Sequence, residues 1–435
     1  MATRQALKNK ISSIIDSMED EIISFIQKVV QTSSLPGEEK DAQDIIASKL
    51  SELNLEVDVT PLRLDEIKEH PAFCDDGFPF NKRVNVVGRW MGTKDSSITV
   101  DENVYSLILN GHIDVVPPGN EELWDESPWS GKIKDGKLYG RGAADMKAGL
   151  STAIFAIKAL QKLGFKPLRD VLMESVAGEE TGGCGTLTTI IKGYCADAAI
   201  IMEPTQLKIC PVQSGALSFK IKVFGRSIHA CMKNKGISAI EKFYIIFNAI
   251  NELEKQRHLN YKNSLYEDPM NIAPINFGTI NGGSWHSTVP DELLVKGRYG
   301  IFPGESIEDG KRVLEQTVKL AAAKDDWLKS NPPIVEWFSG QFEPGRTDMN
   351  EPIIKTLSNC HMIVLGEQPK LEAVTYGSDL RLFTNYANIP TVLYGPGNVV
   401  NAHSVDEFIS IGEVITATKI LALTIYKWCG GGVRL

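Results

Sequence analysis

An apolar run, Leu107-Ile108-Leu109, opens onto Gly111-His112-Ile113-Asp114, and this pattern of a strand-like stretch emptying into a turn that bears a charged side chain recurs along the chain. Gly140-Arg141-Gly142-Ala143-Ala144-Asp145-Met146-Lys147 repeats it. Val171–Ala177 ends in Gly178-Glu179-Glu180-Thr181-Gly182-Gly183, Ala198–Met202 ends in Glu203-Pro204-Thr205, and Leu393-Tyr394-Gly395-Pro396-Gly397 leads to Asn401-Ala402-His403. Helical patterns separate these strands, notably Lys147–Leu163, with Ala148, Leu150, Ala153, Ile154, Ile157 and Leu160 on one face and Gly164 closing it. Strand and helix alternating in this way imply an α/β layer with helices packed on a mixed sheet, and place functional side chains at the carboxyl ends of the strands.

At 435 residues the chain is long enough for two domains. The rhythm changes near Ser214-Gly215. Strands are expected at Leu217–Phe224, Ile275–Ile280, Leu293–Ile301 and Ile334–Trp337, with helices at Ile237–Lys255 and Ser306–Ala323, a self-contained α+β unit of four strands and two helices. Past Gly345 the first rhythm resumes and ends in helix Ile409–Lys427. The expected organisation is therefore a catalytic domain of residues 1–214 and 346–435 interrupted by a smaller domain of residues 215–345.

Before the first metal-like motif, Ile11, Ile14, Ile15, Met18, Ile22, Phe25, Ile26 and Val29 repeat at helical spacing, which predicts one amphipathic core helix and not a signal peptide. A second helix runs through Ile45, Ile46 and Leu50 to Leu53, followed by strand Leu55–Thr60. Pro61–Lys82 is irregular and polar and reads as an excursion, either a substrate-side loop or plain surface, before strand Val84–Arg89. The tail Cys429–Leu435 is expected to fray.

Composition excludes several functions. A net charge of -9 with no basic stripe argues against nucleic acid as a partner, and an acidic cleft suits divalent cations. No apolar stretch reaches the length of about 18 residues that a membrane span needs. The seven cysteines are scattered, with no C-x-x-C pair, as expected of reduced thiols in a cytoplasmic protein.

His112, Asp145, Glu180, Glu203 and His403 form a nitrogen and oxygen donor set suited to zinc, cobalt or manganese. Five ligands exceed one tetrahedral ion and suit two ions sharing a carboxylate. Taken singly, a His near a glycine turn is more often structural, a Glu-Glu pair is usually a solvated edge, and Glu203-Pro204 is little more than a turn. Spacing alone leaves a metal site and a set of structural residues equally open.

The motifs Gly111-His112-Ile113-Asp114-Val115-Val116-Pro117, Tyr139–Gly149, Gly178-Glu179-Glu180-Thr181-Gly182, Met202-Glu203-Pro204-Thr205 and Ala402-His403 resemble, in order and spacing, the dinuclear metallohydrolases that include acetylornithine deacetylase, succinyl-diaminopimelate desuccinylase, aminoacylase and glutamate carboxypeptidase. The resemblance implies that His112, Asp145 and Glu203 hold one divalent ion and Asp145, Glu180 and His403 the other, with zinc expected and cobalt as the alternative. It implies that Asp114 orients His112 through its carboxylate, that Glu179 is the general base, and that the Asp145-Met146 peptide is cis. His229, in Ser227-Ile228-His229-Ala230, looks like a lid histidine that enters a partner's active site across a homodimer and stabilises the oxyanion. Ser287 stands where relatives commonly carry Asn, so Trp285 or His286 takes over shaping of the pocket. Arg298, Ser378 and Arg381 resemble positions that meet a substrate carboxylate, although structural salt bridges explain the arginines equally well. The expected activity is hydrolysis of a small N-acyl amino acid or similar amide in the cytoplasm, with acetylornithine deacetylase and succinyl-diaminopimelate desuccinylase as the nearest pattern. A formylaminopyrimidine deformylase, or a dipeptidase or carboxypeptidase using the same site, is the alternative.

Overall fold

Apolar strands buried on both faces make the centre of the larger unit. In the computed structural model, which describes residues 2–93 and 106–430, Leu107–His112 and Val171–Val176 are buried at every position. Such strands pair in parallel where helices cover both faces. Leu107–His112 lies between Val171–Val176 and Ala199–Ile201, parallel to both, and Thr391–Leu393 continues the parallel set beside Ala199–Ile201. Val84–Trp90 runs antiparallel to Val171–Val176, and Glu56–Pro61 antiparallel to Val84–Trp90. On the other side Ile209–Gln213 and Gly345–Arg346 complete the order, and Leu371–Val374 pairs with Ile209–Gln213. The sheet is mixed, as expected: the strands joined through helices pair in parallel and the outer ones antiparallel.

The helix Ala148–Lys162 buries twelve of its residues and packs against Ile411–Cys429, itself buried along most of its length. Where one amphipathic helix was expected at the start, two are found, Ala2–Asp16 and Glu19–Gln31. The Ser17 hydroxyl donates back to Ile14 O at 2.6 Å, and Glu19, Asp20 and Glu21 then supply a fresh acidic first turn. A side chain that competes for backbone carbonyls ends a helix even where the apolar period continues. The tail at 431–435 lies outside the described residues.

Two compact units emerge, Met1–Pro211 with Arg346–Glu372 and Leu382–Leu435, and Val212–Gly345 with Ala373–Arg381. The second is built on a four-stranded antiparallel sheet, ordered Ile275–Gly282, Glu292–Ile301, Gly215–Phe224, Ile334–Phe342. Helices Ala239–Asn260 and Ile307–Ala322 contribute Phe243, Ile246, Ile250, Leu314 and Val318 to its core. The turn Gly377–Arg381, expected in the first unit, groups with the second. Gln213 Nε2 donates to Ser378 O at 3.1 Å, and Arg298 Nη2 to Thr375 O at 2.9 Å.

Candidate active site

Four of the chemistry-bearing segments leave the carboxyl ends of neighbouring parallel strands in the first unit. His112 is the last residue of its strand, and the turn beyond it is tied down by Ile113 N–H to Val176 O at 2.9 Å and by the Ser34 hydroxyl to Ile113 O at 2.6 Å. Glu203 follows strand Ala199–Ile201 by two residues. Its turn is stitched to the chain leading to His403, because the Thr205 hydroxyl accepts from Gly395 N–H at 3.1 Å and Thr205 bridges to Asn398. Asp145 sits between strand Lys137–Tyr139 and helix Ala148–Lys162, in a single wide turn, and its peptide to Met146 is cis.

These segments bring five ligand candidates into two triplets, His112–Asp145–Glu203 and Asp145–Glu180–His403, each with its donor atoms within 4.8 Å of one another. Asp145 belongs to both. Its Oδ1 lies 3.1 Å from His112 Nε2 and its Oδ2 3.5 Å from His403 Nε2. His112 Nε2 is 4.0 Å from Glu203 Oε1, and His403 Nε2 is 3.0 Å from Glu180 Oε1. Bonds of about 2 Å from a tetrahedral zinc place its ligands about 3.3 Å apart, so both triplets fit such an ion with small adjustments.

Charge also favours cations here. Four carboxylates, Asp145, Glu179, Glu180 and Glu203, converge on two imidazoles in a largely buried setting, and buried charges need partners. Burial pushes the Glu180 carboxyl up, and the Asp145 charge adds to the shift. Hydrogen bonds donated to the Asp145 and Glu180 carboxylates push His403 up to about 10. Burial opposes protonation of His112, yet the Asp145 hydrogen bond and the Glu179 and Glu203 charges outweigh it and hold the imidazole well above its usual range. Asp145 is held below the usual carboxylate range because both imidazoles outweigh its own burial.

Glu179 is buried, belongs to neither triplet, and brings Oε2 to 4.0 Å from His112 Nε2. Asp114 does something different from what the resemblance implied. His112 Nδ1 is 2.9 Å from the Asp114 backbone carbonyl and 3.8 Å from its carboxylate. The carboxylate instead accepts the N–H groups of Gly178, Glu179 and Glu180 at 2.8, 3.2 and 3.1 Å. Three amides outbid one imidazole for a buried anion, so the backbone orients His112 and the side chain holds the base turn.

Glu407 was missed by sequence reasoning. Fully enclosed, it accepts Ala144 N–H at 2.9 Å and Asp145 N–H at 3.1 Å and pairs with Arg141 at 2.6 Å, so it positions the shared carboxylate from behind. The available signal was a carboxylate four residues beyond His403, directly before the short strand Phe408–Ser410.

The remaining expected residues lie in the second unit. His229 is exposed, and its Nδ1 accepts from Cys231 N–H at 3.2 Å. Trp285 and His286 are exposed with ring centroids 4.6 Å apart, and Ser287 O accepts from Ala230 N–H at 2.9 Å. Ser378 and Arg381 are fully buried. The Ser378 hydroxyl donates to Gln213 Oε1, and the Arg381 guanidinium lies 5.4 Å from the centre of the Phe342 ring and 3.6 Å from Glu343. Arg298 is half-buried on its strand.

A strand-end centre of this composition on a mixed sheet defines a metal-dependent hydrolase. The chain belongs to Peptidase family M20/M25/M40, which it matches over residues 108–427, and it is an amidohydrolase of that family. It is 31% identical to an N-formyl-4-amino-5-aminomethyl-2-methylpyrimidine deformylase of Halalkalibacterium halodurans, over 95% of this chain and 96% of the relative. It is 28% identical to an acetylornithine deacetylase of Proteus mirabilis, over 80% of this chain and 89% of that one. Among solved structures, a dipeptidase from Saccharomyces cerevisiae shares the fold with a TM-score of 0.73 at 16% identity, covering 98% of this chain and 99% of the other.

Proposed function

We propose that this enzyme hydrolyses the amide bond of a small N-acyl amine, with Glu179 as general base, and that N-formylated aminopyrimidines rank ahead of N-acyl amino acids as its substrates. The observation that carries the chemistry is the division of one carboxylate, Asp145, between two imidazole-bearing triplets, with Glu179 buried beside His112 and outside both. His112, Asp145 and Glu203 would hold one ion and Asp145, Glu180 and His403 the other, zinc or cobalt by donor type. When bound, the ions supply Lewis acidity toward the scissile carbonyl and the attacking water. Glu179 takes the water's proton and returns it to the departing amine, which is why it must be near the ligands without being one of them.

Two observations support the ranking of substrates. The deformylase relative matches nearly the whole chain, against four fifths for the deacetylase. Moreover, the groups expected to meet a substrate carboxylate are engaged internally, Ser378 and Arg381 by burial and Arg298 by its bond to Thr375 O. An aminopyrimidine has no carboxylate to satisfy. His229 supports oxyanion binding: with Nδ1 accepting from Cys231, its proton resides on Nε2, a donor. We place it in the partner's site of a homodimer formed through the second unit. Cys184, Cys195, Cys210, Cys231, Cys360 and Cys429 form no disulfide, which fits a cytoplasmic setting.

The test is turnover by metal-free protein refilled with zinc or cobalt on N-formyl-aminopyrimidine, N-acetyl-ornithine, N-succinyl-diaminopimelate and several dipeptides. Metal-dependent release of formate is expected. Preferential cleavage of an N-acyl amino acid or of a dipeptide would overturn the ranking, and no cleavage of any amide would overturn the reading.

A further inference from the structure

The turn that carries Glu179 and Glu180 is gripped from two sides. On one side stands the Asp114 carboxylate, with its three amide hydrogen bonds. On the other is Arg83, a fully buried guanidinium at the entrance to strand Val84–Trp90. Its Nη1 donates to Asp76 Oδ2 at 2.6 Å, its Nε to Glu39 Oε1 at 3.1 Å, and its Nη2 to the Thr181 hydroxyl at 3.4 Å. Thr181 closes the loop by donating to Asp76 Oδ2 at 2.6 Å. Gly178, at a φ of +76°, lies so close to the guanidinium that a Cβ there would sit 2.1 Å from Nη2. The backbone of the base turn is therefore packed directly on Arg83, with no side chain between them.

Asp76 comes from the excursion Pro61–Lys82, whose place in the chemistry the sequence left open. The excursion is anchored by its own apolar cluster, in which Leu62, Ile67 and Ala72 pack with Ala177, Cys184 and Leu187, residues that flank the base turn on both sides. The segment, which folds a short helix at Leu64–Ile67 where only irregular chain was expected, buries apolar side chains and delivers one carboxylate to a buried cation, and is built to hold position.

We propose that Arg83, Asp76 and Thr181 are positioning residues that fix the Glu179-Glu180 turn, and that the excursion Pro61–Lys82 serves the reaction by supplying Asp76 to this clamp. The kinetic part of the proposal rests on Glu179 being the base; the structural part does not. A base must be held within a fraction of an ångström of its working position, and a displacement of about 1 Å costs on the order of 100-fold in rate.

The experiment compares Thr181→Val, which keeps shape and removes the hydroxyl, with Thr181→Ser, which keeps the hydroxyl. Amide hydrogen exchange is followed at Gly178, Glu179 and Glu180 in the metal-free protein, and kcat and KM in the zinc-loaded one. For Thr181→Val we expect exchange at these amides to rise about tenfold and kcat to fall about tenfold with KM within about twofold. Thr181→Ser should restore both, and exchange in helix Ile411–Cys429 should not change in either variant. Wild-type exchange and kcat in Thr181→Val would overturn the clamp, as would faster exchange spread evenly over the first unit. Faster exchange at the turn with unchanged kcat would retain the clamp's grip and overturn its role in the reaction. Should Thr181→Val fail to fold, Asp76→Asn, isosteric and on the excursion itself, takes its place with the same expectations. Turnover that survives Glu179→Ala would defeat the base assignment while leaving the exchange result standing.

Discussion

Each imidazole at this centre is held in its charged form by the carboxylates around it. In the metal-free protein the His403 imidazole is pushed up to about 10 by Asp145 and Glu180, and His112 is held well above its usual range. Both are imidazolium at neutral pH, so a cation must displace their protons. Metal affinity should rise with pH from about 6 to 9, approaching tenfold per unit for each proton displaced, and calorimetry in buffers of different ionisation enthalpy would count those protons. Affinity flat across that range would contradict the assignment. For stability the metal-free protein should behave oppositely. His403 has a folded pKa above its ordinary 6.5, so its contribution is full below about 6.5 and is lost as pH rises through about 10. Thermal unfolding of the metal-free chain between pH 7 and 10 would show the decline. Glu179→Gln, which removes the basic oxygen and keeps the shape, should lower kcat by about 100-fold to 10,000-fold while metal content measured by atomic absorption stays at the wild-type value.

Elements carry the site only if strand ends and helix starts meet closely. Gly149 lies in the first turn of helix Ala148–Lys162, and an added Cβ would stand 2.0 Å from Met202 O, the carbonyl directly before Glu203. Gly149→Ala should push the helix away from that strand end, destabilise the protein by about 1–3 kcal/mol and weaken metal binding through Glu203. Melting temperature and zinc affinity measured together test this; unchanged values for both would mean that the strand end tolerates displacement. Elements were legible in the sequence wherever pattern and punctuation agreed, as at Val171–Val176 before Gly178 or Ala148–Lys162 before Gly164. The first helix was not, because the apolar period runs on through Ser17 while the Ser17 hydroxyl bonds Ile14 O and ends the turn. Strand Ile209–Gln213 also escaped notice, since its pairing with Leu371–Val374 and Thr391–Leu393 joins segments remote in sequence.

At the scale of the whole molecule, the proposal that His229 acts across a dimer makes one site depend on two copies of the chain. Under the proposal that His229 serves a partner, neither Glu179→Ala nor His229→Ala alone should turn over well, but a mixture allowed to exchange subunits should. In a mixed dimer the chain with intact Glu179 receives His229 from the Glu179→Ala chain, and one of the two sites is complete. Recovered activity on mixing supports action across a dimer. No recovery, with subunit exchange verified by mass, places His229 within its own chain or outside the reaction.

Much of this protein was decided locally and was therefore readable. A charged residue at the carboxyl end of an apolar strand, repeated at His112, Glu180 and Glu203, already carries the α/β class and the ligand candidates, because strand period and turn chemistry act over a few residues. What the tertiary structure alone decided is which groups satisfy which. The Asp114 carboxylate sits two residues from His112 yet binds amides 64 to 66 residues away, and Glu407 supports Asp145 from 262 residues away. Asp76 reaches Thr181 across 105 residues, and Ser378 and Arg381 are enclosed where a ligand contact was expected. A buried polar group takes the partner that packing brings within about 3 Å, and sequence distance has no bearing on that choice.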